Sequence, residues 1–230
     1  MRVNSGLPGG AGHPRQVLIT GGTGYIGTRL AACLLARGHR VRLLTRSTSL
    51  ARVAQGALAV PANALDAEAL ATALQPGDTL VHLIGTRHPN PAKAAEFESV
   101  DLASIRAAVC AAQRVPIAHL VYLSVAQPAP VMRAYVAARA AGERLIAQAR
   151  LPASIFRPWY VLGPGHRWPL VLLPLYALAR LVPAWRAAAS RLGLVTLEQM
   201  VQALVCSIEA PPPNGTLIFD VPHILACRSG

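Results

Sequence analysis

A glycine-rich turn carries the strongest chemical signal in this sequence. Residues 20–27 read Thr-Gly-Gly-Thr-Gly-Tyr-Ile-Gly, which satisfies both the G-x-G-x-x-G and the G-x-x-G-x-x-G spacings. The turn joins an apolar β-type run to an amphipathic stretch. Glycine in this place lets backbone N–H groups approach a pyrophosphate at the N-terminus of a helix. The predicted dinucleotide-binding residues are Gly21, Gly22, Thr23, Gly24, Tyr25, Ile26 and Gly27.

The end of the second predicted strand indicates which dinucleotide is bound. NAD-binding folds usually place an Asp or Glu about 20 residues beyond the glycines, and this sequence has none there. Arg46 follows the strand instead, and a guanidinium suits the 2′-phosphate of NADP(H) by charge and by geometry. We therefore expect NADP(H) to be favoured over NAD(H). Two alternatives stay open: Arg46 is one more exposed arginine, or Arg42 competes for its role.

The elements that must position these residues follow an alternating pattern. Short β-rich runs alternate with longer amphipathic stretches, which is typical of a parallel sheet covered by helices on both faces. We predict an α/β fold, a Rossmann-type doubly wound parallel sheet in a single domain. The predicted strands are Gln16–Thr20, Val41–Thr45, Ala57–Val60, Thr79–Leu83, His119–Leu123, Ser154–Arg157 and Thr216–Asp220. The predicted helices are Tyr25–Arg37, Ala67–Leu74, Glu98–Gln113, Met132–Gln148 and Leu197–Glu209.

The boundaries of these elements also have local signals. Gly38 is expected to stop the first helix, and Asp66 to cap the second. Residues 1–15 are expected to form a flexible leader, and residues 16–230 an NAD(P)-binding domain. Within that domain, 158–192 is the expected substrate-side region, a short C-terminal elaboration of loops and helix.

Composition limits the classes of function. The 230 residues include 22 basic and 10 acidic side chains, for a net charge of +12, and 53% are hydrophobic. That hydrophobic content excludes a wholly disordered chain. The basic residues are scattered singly, without a zinc-finger spacing or an aromatic-interleaved basic motif, so nucleic acid is not an expected partner. The four cysteines are far apart and predict neither a metal site nor a redox motif.

The longest apolar stretch, Trp168–Trp185, is expected to be a contact surface. It contains Arg180 and three prolines, which argue against a membrane-spanning helix and exclude a polytopic membrane protein. Nine arginines and one acid lie between residues 131 and 195. A lid over a greasy substrate, a subunit interface and a peripheral attachment to anionic membrane all stay open. The N-terminus lacks the apolar core of a signal peptide, so we expect a cytoplasmic location, with peripheral membrane attachment left open.

Further motifs resemble the short-chain dehydrogenase/reductase superfamily, in its extended and atypical NAD(P)-binding branch of epimerase/dehydratase-like and NmrA-like proteins. Leu80–Gly85 resembles the family's fourth strand, Val100–Leu102 its V-N/D-x element and Leu120–Ser124 its fifth strand. Phe156–Gly165 is similar to its R-P-x-x-V-x-G-P-G turn beside the nicotinamide. The cofactor contacts that this resemblance implies are Asn63, Ile84, Gly85, Pro158, Tyr160 and Val161.

The resemblance also implies a catalytic group. At the family's Y-x-x-x-K motif this chain has Tyr135 and Arg139, with Glu143 one turn further on the same helical face. In the family the tyrosine hydroxyl exchanges the proton of a carbinol, while the lysine lowers its pKa. Arginine supplies the charge without the compact ammonium. Ser124 is the candidate for polarising the substrate oxygen, although Val125 and the residue after it lack the second hydroxyl of the family.

Two hypotheses of function follow. The first is an NADP(H)-dependent oxidoreductase or epimerase-like enzyme that acts on an unknown small molecule. The second is a non-catalytic dinucleotide-binding redox sensor or accessory protein, similar to nitrogen-metabolite repression regulators. Tyr135 favours the enzyme, and Arg139 favours the sensor. If the family mechanism operates, Arg139→Lys is expected to preserve or raise activity.

Overall fold

The computed structural model describes residues 13–129, 131–164 and 192–227. Its centre is a parallel seven-stranded sheet made of β1 (Gln16–Thr20), β2 (Arg40–Thr45), β3 (Leu58–Pro61), β4 (Thr79–His82), β5 (His119–Leu123), β6 (Ala153–Arg157) and β9 (Thr216–Asp220). Their order across the sheet is β3-β2-β1-β4-β5-β6-β9, so the predicted Rossmann-type fold is confirmed. A separate parallel pair consists of β7 (Tyr160–Leu162) and β8 (Leu194–Thr196).

Two of the helices that flank the sheet have the boundary signals predicted from the sequence. The helices are α1 (Tyr25–Ala36), α2 (Ala67–Ala73), α3 (Ala94–Glu96), α4 (Ala103–Arg114), α5 (Arg133–Gln148), α6 (Leu197–Glu209) and α7 (Val221–Ala226). Asp66 caps α2 by accepting hydrogen bonds from the backbone N–H groups of the first turn. Gly38 follows α1 with a φ of +81°, a left-handed conformation that glycine adopts without strain. The predicted helix over 98–113 begins instead as a π-helical segment, Phe97–Leu102, that leads into α4.

Hydrophobic side chains fill the space on both faces of the sheet. Alternate residues of β1 point to opposite faces: Val17 packs in the cluster that includes α1 and α6, and Leu18 in the cluster that includes α2, α4 and α5. Both are fully buried. Burial of a strand on both faces is typical of a parallel sheet between two layers of helices. Packing between the two layers of helices fixes the carboxyl ends of the strands, where ligands bind in open α/β folds.

Several expectations concern residues outside those that the structure describes. They are most of the leader over 1–15, residues 165–191 of the substrate-side region 158–192, and the apolar contact surface 168–185. Within residues 13–129, 131–164 and 192–227, no helix is long and apolar enough to cross a membrane.

Candidate cofactor and active-site cleft

A cleft of about 660 Å³ opens at the carboxyl ends of the central strands. It lies between the glycine turn after β1 and the loop after β4, the point at which the strand order reverses direction. Dinucleotides bind at this switch point in doubly wound folds. The predicted residues that line it are Gly21, Thr23, Gly24, Tyr25, Ile26, Gly27, Arg46, Ile84, Gly85, Tyr135 and Arg139.

The glycine turn takes the conformation that close packing against the sheet requires. Gly21 has a φ of +75°, and a Cβ there would lie 2.9 Å from the carbonyl carbon of Leu83 at the end of β4. A Cβ on Gly27 would lie 2.5 Å from the carbonyl oxygen of Gly21. These glycines bring the start of α1 against the strand ends, which directs its N-terminal N–H groups towards the cleft. No acidic side chain stands in the first turn of α1, so the helix end is suited to a pyrophosphate.

One end of the cleft is lined by two arginines. Arg46 lies there as predicted, and Arg52 lies with it, a residue that sequence reasoning missed. Arg52 donates from Nη2 to the hydroxyl of Ser49 at 2.8 Å, across the short 3-10 helix Ser47–Arg52 that carries both. That helix directly follows the residue after β2. The signal available in the sequence was the i,i+3 spacing of Ser49 and Arg52, which places both side chains on one face of a 3-10 helix.

Arg42, the alternative to Arg46, is engaged elsewhere. Its guanidinium pairs with the buried Asp78 and donates to the carbonyl oxygen of Ala73 at 2.8 Å. Asn63 is exposed, and its Oδ1 accepts a hydrogen bond from the backbone N–H of Leu65 at 3.1 Å. Neither residue is among those that line the cleft. Of the arginines on and after β2, Arg46 and Arg52 are therefore the two that line the cleft.

Tyr135 and Arg139 lie one helical turn apart at the other end of the cleft. The Cζ atom of Arg139 is 5.3 Å from the centre of the Tyr135 ring, and the ring of Phe97 lies 5.1 Å from that ring between centroids. Arg139 is only 3% exposed. Burial opposes its charge, but the neighbouring phenols and the Asp101 carboxylate raise the pKa of Arg139 above its ordinary value. The cation beside Tyr135 is therefore permanent.

Ser124 does not reach the cleft. It is 4% exposed, and its hydroxyl donates to Oε1 of Glu143 at 2.5 Å. Glu143 in turn accepts two hydrogen bonds from Arg157, at 3.0 Å and 2.5 Å. The structure thus separates Ser124 and Glu143 from Tyr135 and Arg139, although the four are close in sequence. The ion pair between Glu143 and Arg157 ties α5 to the end of β6.

The loop after β4 supplies a wall of the cleft that sequence reasoning missed. Its residues Thr86, Arg87, His88 and Pro89 follow the predicted Ile84 and Gly85 along the cleft. The hydroxyl of Thr86 donates to Oδ2 of Asp101 at 2.6 Å, which anchors the loop on the buried carboxylate. Thr86 is the hydroxyl-bearing residue of this wall.

Pro158, Tyr160 and Val161 lie outside the lining of this cleft. Tyr160 and Val161 belong to β7, and the carbonyl oxygen of Pro158 accepts a hydrogen bond from Ala126 N at 3.0 Å. The turn that follows still packs on the glycine turn, since a Cβ on Gly163 would lie 1.8 Å from the hydroxyl oxygen of Tyr25. Their role towards a cofactor stays a prediction.

A buried polar cluster supports the cleft from below. His82, at the end of β4, is fully buried between the Thr20 hydroxyl at 2.9 Å and the Ser104 hydroxyl at 3.1 Å. Burial, assisted by the charge of Arg139, lowers the pKa of His82 to about 3. It is a neutral packing residue. Among the described residues, no group of His, Cys, Asp and Glu could hold a metal ion.

Comparison with known sequences decides the family. The sequence model of the NAD(P)H-binding family matches residues 21–166, well over half of the chain. The chain belongs to this NAD(P)H-binding family. The prediction of an NAD(P)-binding family is thereby confirmed.

Two curated relatives are reductases. Ceramide reductase of Caulobacter vibrioides is 29% identical over 213 residues, which covers 89% of this chain and 64% of that protein. The 4-hydroxy-2-methyl-3-oxo-4-farnesyl-3,4-dihydroquinoline-1-oxide ketoreductase of Stigmatella aurantiaca is 28% identical over 170 residues, which covers 64% of this chain and 51% of that protein. The chain thus spans between about half and two thirds of the length of these relatives.

A solved structure with the same fold contains a dinucleotide. The enzyme WbmH of Bordetella bronchiseptica, in complex with NAD+, superposes with a TM-score of 0.67 at 21% identity. The match covers 90% of this chain and 76% of that one. At this identity the likeness shows a common fold.

Proposed function

We propose that this protein is an NADP(H)-dependent ketoreductase that reduces the carbonyl group of a large apolar molecule. One observation carries the proposal: Tyr135 and the cation of Arg139 line the same cleft as the glycine turn. A proton donor and a dinucleotide site in one cleft are what the reduction of a carbonyl group requires.

When bound, the reduced dinucleotide supplies the hydride that adds to the carbonyl carbon. Tyr135 holds the proton that the developing alkoxide takes up, and it passes this proton from its hydroxyl to the substrate oxygen. Arg139 stabilises the phenolate that remains, because its guanidinium is charged at every physiological pH and lies 5.3 Å from the phenol ring. The ring of Phe97 packs against Tyr135 and limits the access of water from that side.

The preference for NADP(H) is supported by charge at the far end of the cleft. Arg46 and Arg52 both line it, and no carboxylate is among the described residues that do. A 2′-phosphate would gain charge-assisted hydrogen bonds there, whereas the ribose hydroxyls of NAD(H) would lack their usual acidic acceptor.

The apolar character of the substrate is supported by the relatives and by the sequence. Their names describe a ceramide and a farnesylated quinoline oxide, both with long hydrocarbon parts. The sequence 168–185 is apolar over most of its length. This segment lies outside the described residues, and its role as a lid over a greasy substrate, a subunit interface or a peripheral membrane contact stays a prediction.

A non-catalytic dinucleotide sensor is the second candidate. It is favoured by the hydroxyl of Ser124, which is bound to Glu143 rather than turned towards a substrate. A sensor would bind NADPH and NADP+ with different affinities and turn over neither.

The test is a cofactor titration followed by an activity screen. We expect NADPH to bind the wild-type protein at least tenfold more tightly than NADH, as about 1.4 kcal/mol of phosphate pairing implies. NADPH should then be oxidised in the presence of long-chain aliphatic or isoprenoid ketones presented in detergent. Equal affinities would overturn the NADP(H) assignment. Binding without oxidation of NADPH by any ketone would favour the sensor.

A further inference from the structure

The guanidinium of Arg139 is held from several sides at the floor of the cleft. Its Nη1 donates to the carbonyl oxygen of Ile84 in the loop after β4 at 3.1 Å, and to that of Leu123 at the end of β5 at 3.0 Å. Its Nη2 lies 2.6 Å from Oδ1 of Asp101. An arginine fork spans acceptors in such fixed directions, which the compact ammonium of a lysine does not do from one position.

Gly85 leaves the space that this arrangement needs. A Cβ at this position would lie 2.0 Å from Nη2 of Arg139 and 3.2 Å from Oδ1 of Asp101. The φ of Gly85 is not in the left-handed region, so backbone conformation does not explain the glycine. The side-chain space of residue 85 is occupied by the guanidinium instead.

Asp101 connects the cation to the wall of the cleft. The carboxylate is fully buried. Its Oδ2 accepts hydrogen bonds from the backbone N–H of Thr86 at 3.0 Å and from the Thr86 hydroxyl at 2.6 Å, and its Oδ1 faces Arg139. One carboxylate therefore fixes both the loop after β4 and the guanidinium below Tyr135.

We propose that Asp101 is a positioning residue of the cleft, which seats Arg139 in the space left by Gly85 so that the guanidinium presents a fixed charge to the bound dinucleotide and to Tyr135. The proposal rests on the proposed function for its reference to Tyr135. It does not depend on the identity of the substrate. It implies that Arg139 works as one unit with Gly85 and Asp101. It also implies that Arg139→Lys lowers activity, contrary to the expectation from the family mechanism alone.

The chain offers a matched control for this unit. Asp78 is also a fully buried carboxylate paired with an arginine, Arg42, but it precedes β4 and lies away from the residues that line the cleft. Breaking either pair leaves a buried charge without its partner. Only the pair at the cleft should affect the cofactor.

The experiment measures the dissociation constant of NADPH by fluorescence titration for the wild type, Asp101→Asn, Arg139→Met, the Asp101→Asn/Arg139→Met double variant and Asp78→Asn. We expect Asp101→Asn to weaken NADPH binding by about tenfold, in the range of a lost charged hydrogen bond, and by less than twofold when Arg139 is already methionine. Asp78→Asn should change the dissociation constant by less than twofold. An equal effect of Asp101→Asn in both backgrounds, or no effect in either, would overturn the proposal.

Thermal unfolding of each variant without cofactor accompanies the titration, and only variants that retain a cooperative transition enter the comparison. If Asp101→Asn does not fold, Asp101→Glu replaces it with the same expected dependence on Arg139. Failure of the proposed function is distinguishable from failure of this proposal. A wild-type protein that binds NADPH but reduces no ketone would contradict the proposed function, whereas the NADPH dissociation constants of the single and double variants could still be compared.

Discussion

Two buried ion pairs of the same chemistry lie at opposite ends of the central sheet. Arg42 and Asp78 meet near the start of β4, where Asp78 also accepts the backbone N–H of Gln75 at 2.7 Å. Arg139 and Asp101 meet beyond the carboxyl ends of β4 and β5. The first pair is enclosed by loop and helix backbone, whereas the second borders an open cleft. An arginine–aspartate pair thus belongs to the packed interior at one end of the sheet, and another borders the candidate active site at the other end.

The largest effect is expected at Tyr135, the group above the second pair. Tyr135→Phe should reduce ketone turnover by about two to four orders of magnitude, the range of a lost general acid. The phenol ring and its packing on Phe97 remain, so the dissociation constant of NADPH should stay within about twofold of wild type. Steady-state rates and cofactor titrations on the same preparation measure both values. Full turnover in this variant would remove Tyr135 from the mechanism.

Gly85→Ala sharpens the comparison by disturbing the cleft pair while leaving Arg42 and Asp78 unchanged. The added methyl would overlap Nη2 of Arg139, from which it would lie 2.0 Å away, and overpacking of this kind costs about 1–3 kcal/mol. We expect NADPH binding to weaken by about ten- to a hundredfold.

Gly142→Ala is the weaker companion of Gly85→Ala. Its Cβ would lie 2.7 Å from the hydroxyl oxygen of the buried Tyr122, whose ring centre is 5.8 Å from Cζ of Arg139, so it disturbs the guanidinium only through Tyr122. A smaller loss of cofactor affinity than in Gly85→Ala is expected there. Equal losses of affinity in the two alanine variants would mean that Gly85 has no special relation to the cleft.

The arginines at the far end of the cleft should have a smaller effect, confined to one cofactor. Arg46→Ala and Arg52→Ala should each weaken NADPH binding by about tenfold while changing NADH binding by less than twofold. Arg42→Ala is the control, because its guanidinium is paired with Asp78, and it should lower stability without changing the ratio of the two affinities. An unchanged NADPH to NADH ratio in Arg46→Ala and Arg52→Ala would contradict the NADP(H) assignment.

Acid stability probes a buried histidine at the amino end of the sheet, away from the cleft. Burial, assisted by the charge of Arg15, lowers the pKa of His119 to about 4, at the start of β5. A histidine whose folded pKa lies below its unfolded value of about 6.5 binds more protons in the unfolded state. The free energy of unfolding of the protein therefore decreases as pH falls from about 6.5 to 4. His119→Gln should therefore reduce the loss of unfolding free energy across this window by roughly 2–3 kcal/mol. Urea denaturation at several pH values measures it, and an unchanged pH dependence would contradict the assignment.

The fold could be predicted from the sequence because its signals are local. The strands, the glycine turn and the caps at Gly38 and Asp66 each depend on residues within a few positions of one another. The site was predicted less completely. Asp101 and Arg139 are 38 positions apart, and only the fold brings the carboxylate to the guanidinium. Ser124 shows the converse, because its place near the end of β5 suggested a catalytic hydroxyl, but packing of α5 turns it towards Glu143.

The most direct test of the account is the transfer of deuterium to a long-chain ketone from NADPH that carries deuterium at both positions of the nicotinamide C4. Mass spectrometry of the extracted alcohol reads the outcome. We predict that the wild-type protein gives alcohol with one deuterium on the carbinol carbon, and that Tyr135→Phe gives almost none although it still binds NADPH. Cofactor binding with no deuterated alcohol from the wild type, over a panel of aliphatic and isoprenoid ketones, would contradict the account and leave a dinucleotide sensor in its place.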